Sequence, residues 1–593
     1  MHNKKNFWIF GVLIAACLLI RHIQAVEQNV TQPIGTLVRT WNTKGQPPFS
    51  IQPPKPVNYP SGFQPKTPIG ELNYICAQWD SEEVLVTAPF DTHYPATEII
   101  LTQPQHFVRL LVKPTSSSNG AWIMRSEYVR GKTPAQLQEI FALAGQPIDI
   151  VNVEMPASPD PSTGKNYALW TGIAGPINTA IYPWGDGGSV QSRLIADYGT
   201  AYFPNYMFTS SSTRIHRQPI GAIALSYQPL AGNGNTGNVA TYLDSFIPQA
   251  YSDLESVYHE LDYLNYIPFG STPLQDALHQ ISPEQYSALS FLNFRNALLF
   301  SNILLDGNLF RRKKSNNNNS KFNLWVKGIG EFDNKTNQNI YTKFRAQSGG
   351  IMACFDMQTH AHFAWGIGAA GIWNNLSWQD VAGKIHGGNA KIGFYTSYCQ
   401  SSFFIDGAIC GGANWNSASR SIIFNGINRQ THSKPSGEDI EINVQGGKTL
   451  RNIATPILRF SYLFNRQNHF NENGAQSLNL HVNGFNAHTL RTYLGVEVSR
   501  AVKTVESIMI VPHTSLAWIN DIALDRRNIH ARLVGPENNF SVTGMKKEGN
   551  YCAFGLGCNI LCKNYCAISA HYDAEAREHF TAQSIKLGIE ATF

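Results

Sequence analysis

The stretch best suited to chemistry is YPWGDGGSVQ, residues 182–191 of 593. A glycine-rich loop, here closed by Gln191, lets backbone N–H groups approach a phosphate. Arg125 is the matching cation, because a guanidinium grips a phosphate with two parallel hydrogen bonds. The same composition also makes an ordinary turn in a binding domain. His259 opens HELDY, the first half of a zinc-protease helix, but Tyr263 stands where the second histidine ligand is required, so no metal is expected there. His360 and His362 share one face of a strand or turn, and a polar hairpin tip accounts for them. No G-x-S-x-G nucleophile turn occurs. Cys552, Cys558, Cys562 and Cys566 are spaced C-x5-C-x3-C-x3-C, without the paired short spacings that wrap a zinc ion. They fall on two strands and the turn between them. A disulfide within that hairpin, a cross-link to another envelope protein, and small lipid-facing residues all remain open.

The elements that must carry these residues differ along the chain. Charged residues are 15% and aromatics 11%, and the net charge of +5 is too weak to imply a nucleic-acid partner. Lys4 and Lys5 precede an apolar run over residues 7–20, shorter than a spanning helix, and Ile23 and Ala25 suit signal-peptidase cleavage near Val26. Residues 1–25 therefore read as a signal peptide. The rival, lipid attachment at Cys17, is disfavoured because the apolar run continues past it. Eight of nine cysteines remain in the exported chain, where disulfides are permitted.

Residues 26–72 are rich in Pro, Gln and Thr and read as a stiff linker or strap. Residues 73–240 read as a globular domain. EVLVTAPF, FVRLLVKP and IDIVNVEMP are strand-like, and TPAQLQEIFALAG is a helix capped by Thr133, with Pro134 in its first turn and Gly145 after its last. Residues 241–320 turn helical. TPLQDAL and SPEQYSAL are two capping-box starts with Thr272 and Ser282 as caps. The second helix runs to about Leu305, roughly 35 Å. Ser282, Gln285, Asn293, Arg295, Asn296 and Asn302 make it too polar for lipid and suit a water-filled pore. From residue 321 onward, strand-like runs separated by turn residues fill the chain. The last, SIKLGIEATF, alternates strictly: Ile585, Leu587, Ile589, Ala591 and Phe593 lie on one face. So many strands with one greasy face suit an antiparallel membrane barrel.

Over residues 321–593 this pattern resembles the translocator barrel of bacterial type V secretion autotransporters. LWVKGIGEF is similar to that family's first strand. GGIMACFDM and GIGAAG are similar to its second and third, with Asp356 on the family's aspartate. FFIDGAICGG is similar to a mid-barrel strand, and TLRTYLGVEVSRAV, VPHTSLAWIND and FGLGCNILCKNYCAISAHYDAEA to the closing ones. LQDALHQISPEQYSALSFL resembles the family's pore-threading linker. The resemblance implies an all-β outer-membrane antiparallel barrel of about twelve strands. A pore-threading helix would fill it, preceded by a smaller β-rich or α+β passenger. It implies that Ile585, Leu587, Ile589 and Phe593 form an assembly signal read by the barrel-assembly machinery, although Ala591 departs from the family's second aromatic. The other implied partners are outer-membrane lipids and an extracellular or host ligand of the passenger. No cofactor is implied. The passenger segments WIMRSEYVRGKTPAQLQEIFAL and ALSYQPLAGNGNTGNVATYLD more loosely resemble a region found in other autotransporter passengers and large secreted proteins. A binding or adhesion module is expected. The alternative is an NAD-consuming enzyme, because residues 182–191 faintly resemble the glycine–glutamine loop of bacterial toxins, with Arg125 and Gln191 as its residues.

Overall fold

The computed structural model describes residues 35–45, 65–79, 89–118, 120–178, 182–196, 214–249, 252–265, 270–314, 322–336, 343–360, 362–379, 382–451, 453–505, 508–545, 549–562 and 566–592. The chain forms two compact units. One comprises Met1–Pro229 with Phe246–Gly270, the other Leu230–Ser245 with Ser271–Phe593.

The first unit is built on two antiparallel sheets. Five strands run in the order Gly35–Trp41, Ala96–Leu101, Tyr167–Ile173, Val190–Ala196 and Trp122–Ile123. Three more run in the order Arg214–Pro219, Asp149–Met155 and Gln105–Leu111. Successive side chains on a strand point to opposite faces. Phe107, Val151, Val153, Leu169 and Leu194 accordingly fill one core. Val108, Leu110 and Ile150, on the alternate positions, pack with Val129, Leu137 and Phe141 in another. Burial on both faces explains why FVRLL and IVNV read as nearly unbroken apolar runs.

The helix Pro134–Phe141 has the expected capping box between Thr133 and Gln136, but it ends at Ala142, in the left-handed conformation, and not at Gly145. EVLVTAPF lies almost wholly outside the described residues. The stretch 26–72, expected to be a stiff linker or strap, contributes structure. Its segment GTLVRTW, free of proline, is an edge strand whose Trp41 is buried, and Pro68–Trp79 is a helix burying Ile69, Leu72 and Ile75. The region 241–320, expected to be one helical linker, is divided. Asp253–Leu264 packs within the first unit, and the helix from Thr272 belongs to the second.

The second unit contains a closed ring of twelve antiparallel strands. These are β1 (Phe322–Lys335), β2 (Phe344–His360), β3 (Phe363–Trp378), β4 (Gly383–Gln400), β5 (Phe403–Phe424) and β6 (Ser436–Lys448). There follow β7 (Ala454–Gln467), β8 (Phe485–Ser499), β9 (Ile508–Ala523), β10 (Gly549–Cys562), β11 (Cys566–Arg577) and β12 (Phe580–Thr592). Closure is made by β1 against β12, with Val326 opposite Ile589 and Gly330 opposite Ile585. Every strand thereby gains two neighbours, which a membrane demands because an unpaired edge in hydrocarbon costs several kcal/mol per group.

Alternation sets the two faces. On β5, Ile405, Ile409 and Trp415 point out, while Asp406, Cys410 and Asn414 are buried inside. On β3 the outward apolar positions run from Phe363 to Trp373, and beyond them Asn375 and Ser377 are exposed polar residues. Ten residues of a strand tilted as in such barrels span about 25 Å, the height of an outer-membrane apolar band. Phe322 stacks on Phe355 at 5.8 Å near one rim, and Trp373 and Trp415 lie towards the other, forming aromatic girdles. Only two or three residues separate β2 from β3, β4 from β5 and β10 from β11 at the rim where β1 begins and β12 ends. The opposite rim carries the long connections 468–484 and 524–548. These build a four-stranded sheet of Phe470–Asn471, Leu480–Val482, Asn528–Leu533 and Phe540–Thr543.

Candidate functional site

A 3-10 turn, Pro283–Tyr286, leads into a helix from Ser287 to Lys314. Its described side chains are almost all buried inside the barrel. Ser282 ends the preceding helix and caps the turn, accepting a bond from the Glu284 N–H at 3.2 Å. The other expected cap, Thr272, lies inside the helix that Ser271 precedes, and Ser271 makes no side-chain cap bond.

One side of the lumenal helix is apolar and fits a trough of small residues. Cys354, Gly368, Gly393 and Cys410 lie in one cross-strand row on β2 to β5. Phe300 and Leu304 press onto the two glycines. A Cβ at Gly393 would sit 2.8 Å from both, and one at Gly368 would sit 2.8 Å from Leu304. Beside this trough Asp356 accepts bonds from Trp325 Nε1 (3.0 Å), Tyr395 Oη (3.0 Å) and Asn323 Nδ2 (2.9 Å). The Tyr395 ring lies over Gly366, where a Cβ would be 2.5 Å away.

The other side is ionic. Arg295 donates two bonds of 2.7 Å to Glu331 and one of 2.8 Å to Glu575, and lies 3.3 Å from Asp333. Arg491 pairs with Asp521 at 2.7 Å and with Glu575 at 3.1 Å. Lower down, Ser301 donates to Glu441 at 2.8 Å, Arg459 donates to Asn302, and Lys586 reaches Asp306 at 3.4 Å. A cavity of about 160 Å³ adjoins the helix here, bounded by Asn302, Asp306, Arg459, His571 and Lys586. At about 10–15 Å³ per water position it accommodates roughly ten waters. At the end nearer the long loops, Arg420 bonds Glu472 through Nε and Nη2 and also the Gln280 carbonyl, and Tyr286 donates to Glu472.

Of the residues singled out in the helix, Arg295 is thus held by two strands, β1 and β11. Gln285 and the Asn293 amide nitrogen are buried without a protein partner among the described residues, as suits a wet lumen. Ile585, Leu587 and Ile589 project outward, at 48%, 58% and 62% exposure, while Ser584 and Lys586, at the alternate positions, are buried. Phe593 lies outside the described residues. Cys552, Cys558, Cys562 and Cys566 occupy outward positions on β10 and β11, and Cys562 stands opposite Cys566 across the hairpin.

In the first unit the Arg125 guanidinium is held by Glu255, Gln105 and Glu127, and Gln191 donates to the Pro89 carbonyl. Sequence reasoning missed the histidine beneath HELDY. His259 stacks on His106 at 3.6 Å between ring centroids. Burial, with His259, Arg214 and Arg125 nearby, pushes the His106 imidazole down to about 2. It also missed Glu472, in the long-loop region, and the strand partners Glu331, Asp521, Glu575 and Arg491. The strand partners' one sequence signal was a charge at the parity opposite the greasy residues.

Residues 324–573 match the family described as Autotransporter beta-domain. Among solved structures, the translocator domain of the autotransporter NalP from Neisseria meningitidis is 13% identical, with 50% of this chain and 97% of that chain covered and a TM-score of 0.39. The β-domain of the Bordetella autotransporter Brka is also 13% identical, with 46% and 100% covered and a TM-score of 0.35. The transport unit of AIDA-I from Escherichia coli is 14% identical, with 47% and 92% covered and a TM-score of 0.31. No curated protein matches the chain.

Proposed function

We propose that this chain, whose residues 324–573 form an autotransporter β-domain in the outer membrane, displays its own N-terminal unit at the cell surface. The observation that carries the reading is the direction of the lumenal helix. Its C-terminal end leads within a few residues to β1, at the rim of short connections, and its start meets Glu472 in the long-loop region at the other rim. Outer-membrane barrels keep short turns on the periplasmic side and long loops outside. On this orientation everything before Ser282 leaves the barrel on the outer side. Insertion by the barrel-assembly machinery, with Ile585, Leu587, Ile589 and Phe593 as its signal, belongs to the same reading.

The displayed unit is a binding module for an extracellular ligand. In support, Arg125 spends its donors on Glu255, Glu127 and Gln105 and offers no free fork to a phosphate. Protease added to intact cells should digest the first unit and leave a membrane fragment beginning near residue 271. Digestion only after lysis would overturn the display reading. Release of nicotinamide from NAD by the purified chain, lost in Gln191→Ala, would overturn the binding-module reading.

A further inference from the structure

The stretch Leu230–Ser245 belongs to the barrel's unit although the chain on both sides of it, up to Pro229 and from Phe246 to Gly270, belongs to the other. We propose that this stretch is a clamp: by binding the four-stranded loop sheet, it keeps the first unit attached to the barrel even when the chain between Asn265 and Gly270 has been cut. The proposal rests on the display reading for its biological sense, but the contacts stand by themselves.

The loop sheet ends in Phe540–Thr543, which has a strand neighbour on one side only. An edge strand offers unpaired N–H and C=O groups to any partner of matching geometry. The helix Asn235–Asp244 takes that place. A carboxamide carries a donor and an acceptor set like those of a peptide group. Asn235 uses both: its Nδ2 donates to the Thr543 carbonyl at 2.9 Å, and its Oδ1 accepts from the Thr543 N–H at 2.8 Å. Asn238 donates to the Ser541 carbonyl at 2.9 Å, one residue pair along the same strand. On the neighbouring strand the Leu533 N–H donates to Tyr242 Oη at 3.1 Å, and the Tyr242 ring packs on Phe540 at 4.7 Å. At the start of the stretch Gln275 donates to the Leu230 carbonyl at 3.1 Å. Val239, Ala240 and Leu243 complete the buried side.

The local sequence is fitted to this. Gly234 precedes the helix at φ +84°, which a residue with a side chain adopts only under strain. A Cβ at Gly237 would lie 2.4 Å from the Gly232 carbonyl oxygen. Asn235 and Asn238 are not themselves buried, so their replacement removes the edge bonds and leaves the apolar packing in place.

The test inserts a site-specific protease sequence between Asn265 and Gly270 of the full chain. After cutting in detergent, the two fragments should co-elute through a barrel-side affinity tag. In the Asn235→Ala/Asn238→Ala variant the N-terminal fragment should dissociate at least about tenfold faster, the loss of three edge hydrogen bonds. Tyr242→Phe should give a smaller acceleration. Separation of the fragments in the unsubstituted chain, or co-elution as firm in the double variant, would overturn the clamp. The same cut on intact cells judges display separately. Cutting only after lysis would sink the display reading, while the detergent result still decides the clamp.

Discussion

Replacing Arg295 by Met asks how firmly the lumenal helix is held. The guanidinium serves Glu331, Asp333 and Glu575, whose side chains are 2%, 0% and 13% exposed. Met keeps the length of the side chain and removes its charge. Glu575 retains Arg491 at 3.1 Å. Glu331 and Asp333 lose the cation that faces them from the helix. Stripping one partner from a buried ion pair costs 3–5 kcal/mol. The neighbouring cavity admits water to part of the site, so the lower end applies, about 3 kcal/mol. At 1.4 kcal/mol per tenfold that raises the population with the helix displaced by about a hundredfold.

Conductance across a planar bilayer reads this population directly, because the helix occupies the lumen. Arg295→Met should turn rare open events into frequent ones. Adding Glu331→Gln should restore part of the native behaviour, since it removes one of the two orphaned charges, and the double-mutant cycle then gives the coupling itself. Conductance in Arg295→Met as quiet as in the native protein, with unchanged heat-modifiable migration on gels, would refute the claim that this ion pair anchors the helix. So would a Glu331→Gln change that gives no relief.

Gly393→Leu should likewise expel the helix, since its Cβ alone would meet Leu304 and Phe300 at 2.8 Å. The overpacking should cost about 1–3 kcal/mol in melting experiments, and Leu304→Ala in the same chain should recover part of it. In the first unit, His106 is held neutral, with a folded pKa of about 2 against 6.5 in the open chain. The folded unit therefore binds fewer protons than the unfolded one below pH 6.5, and stability falls as pH drops through that value, by about 2 kcal/mol at pH 5. Melts of the full chain followed by fluorescence of buried Trp41 and Trp170 should show this slope, and His106→Leu should flatten it. Finally, Cys562 and Cys566 face each other across one hairpin, while Cys552 and Cys558 are six residues apart on one strand, about 20 Å. Alkylation of oxidised protein before reduction should mark Cys552 and Cys558 and spare Cys562 and Cys566. Equal labelling of all four would exclude the hairpin disulfide.

The barrel was legible because its code is local. Ile585, Leu587 and Ile589 announce a lipid face by period two alone, and the interrupted helix from Ser282 announces a wet pore by its polar breaks. What joins them was not legible. The trough under Phe300 and Leu304 exists only when β2 to β5 are in register, and no sequence window contains Cys354, Gly368, Gly393 and Cys410 together. The same holds for the helix Asp253–Leu264. By periodicity it reads as part of a linker. It joins the first unit because Glu255 meets Arg125, His259 meets His106 and Asp262 meets Arg130, all from segments more than a hundred residues earlier. HELDY was judged for the ligand it lacks within its own helix, and its actual ring partner came from a sheet.

The low charge content of the chain follows from the same architecture. Outward positions of the barrel must be apolar to meet lipid, so charges of the second half concentrate on inward positions, where Arg, Lys, Asp and Glu face the helix. An interior lined only by apolar groups would pack the helix tightly and admit no water. An interior complementary at every point would hold it without release. The lumen combines the two solutions. On the β2 to β5 side, glycines let Phe300 and Leu304 approach the wall closely. On the other side a cavity of about 160 Å³ leaves ionic groups in contact with water. Water lowers the cost of separating those pairs, because their attraction weakens as the effective dielectric rises.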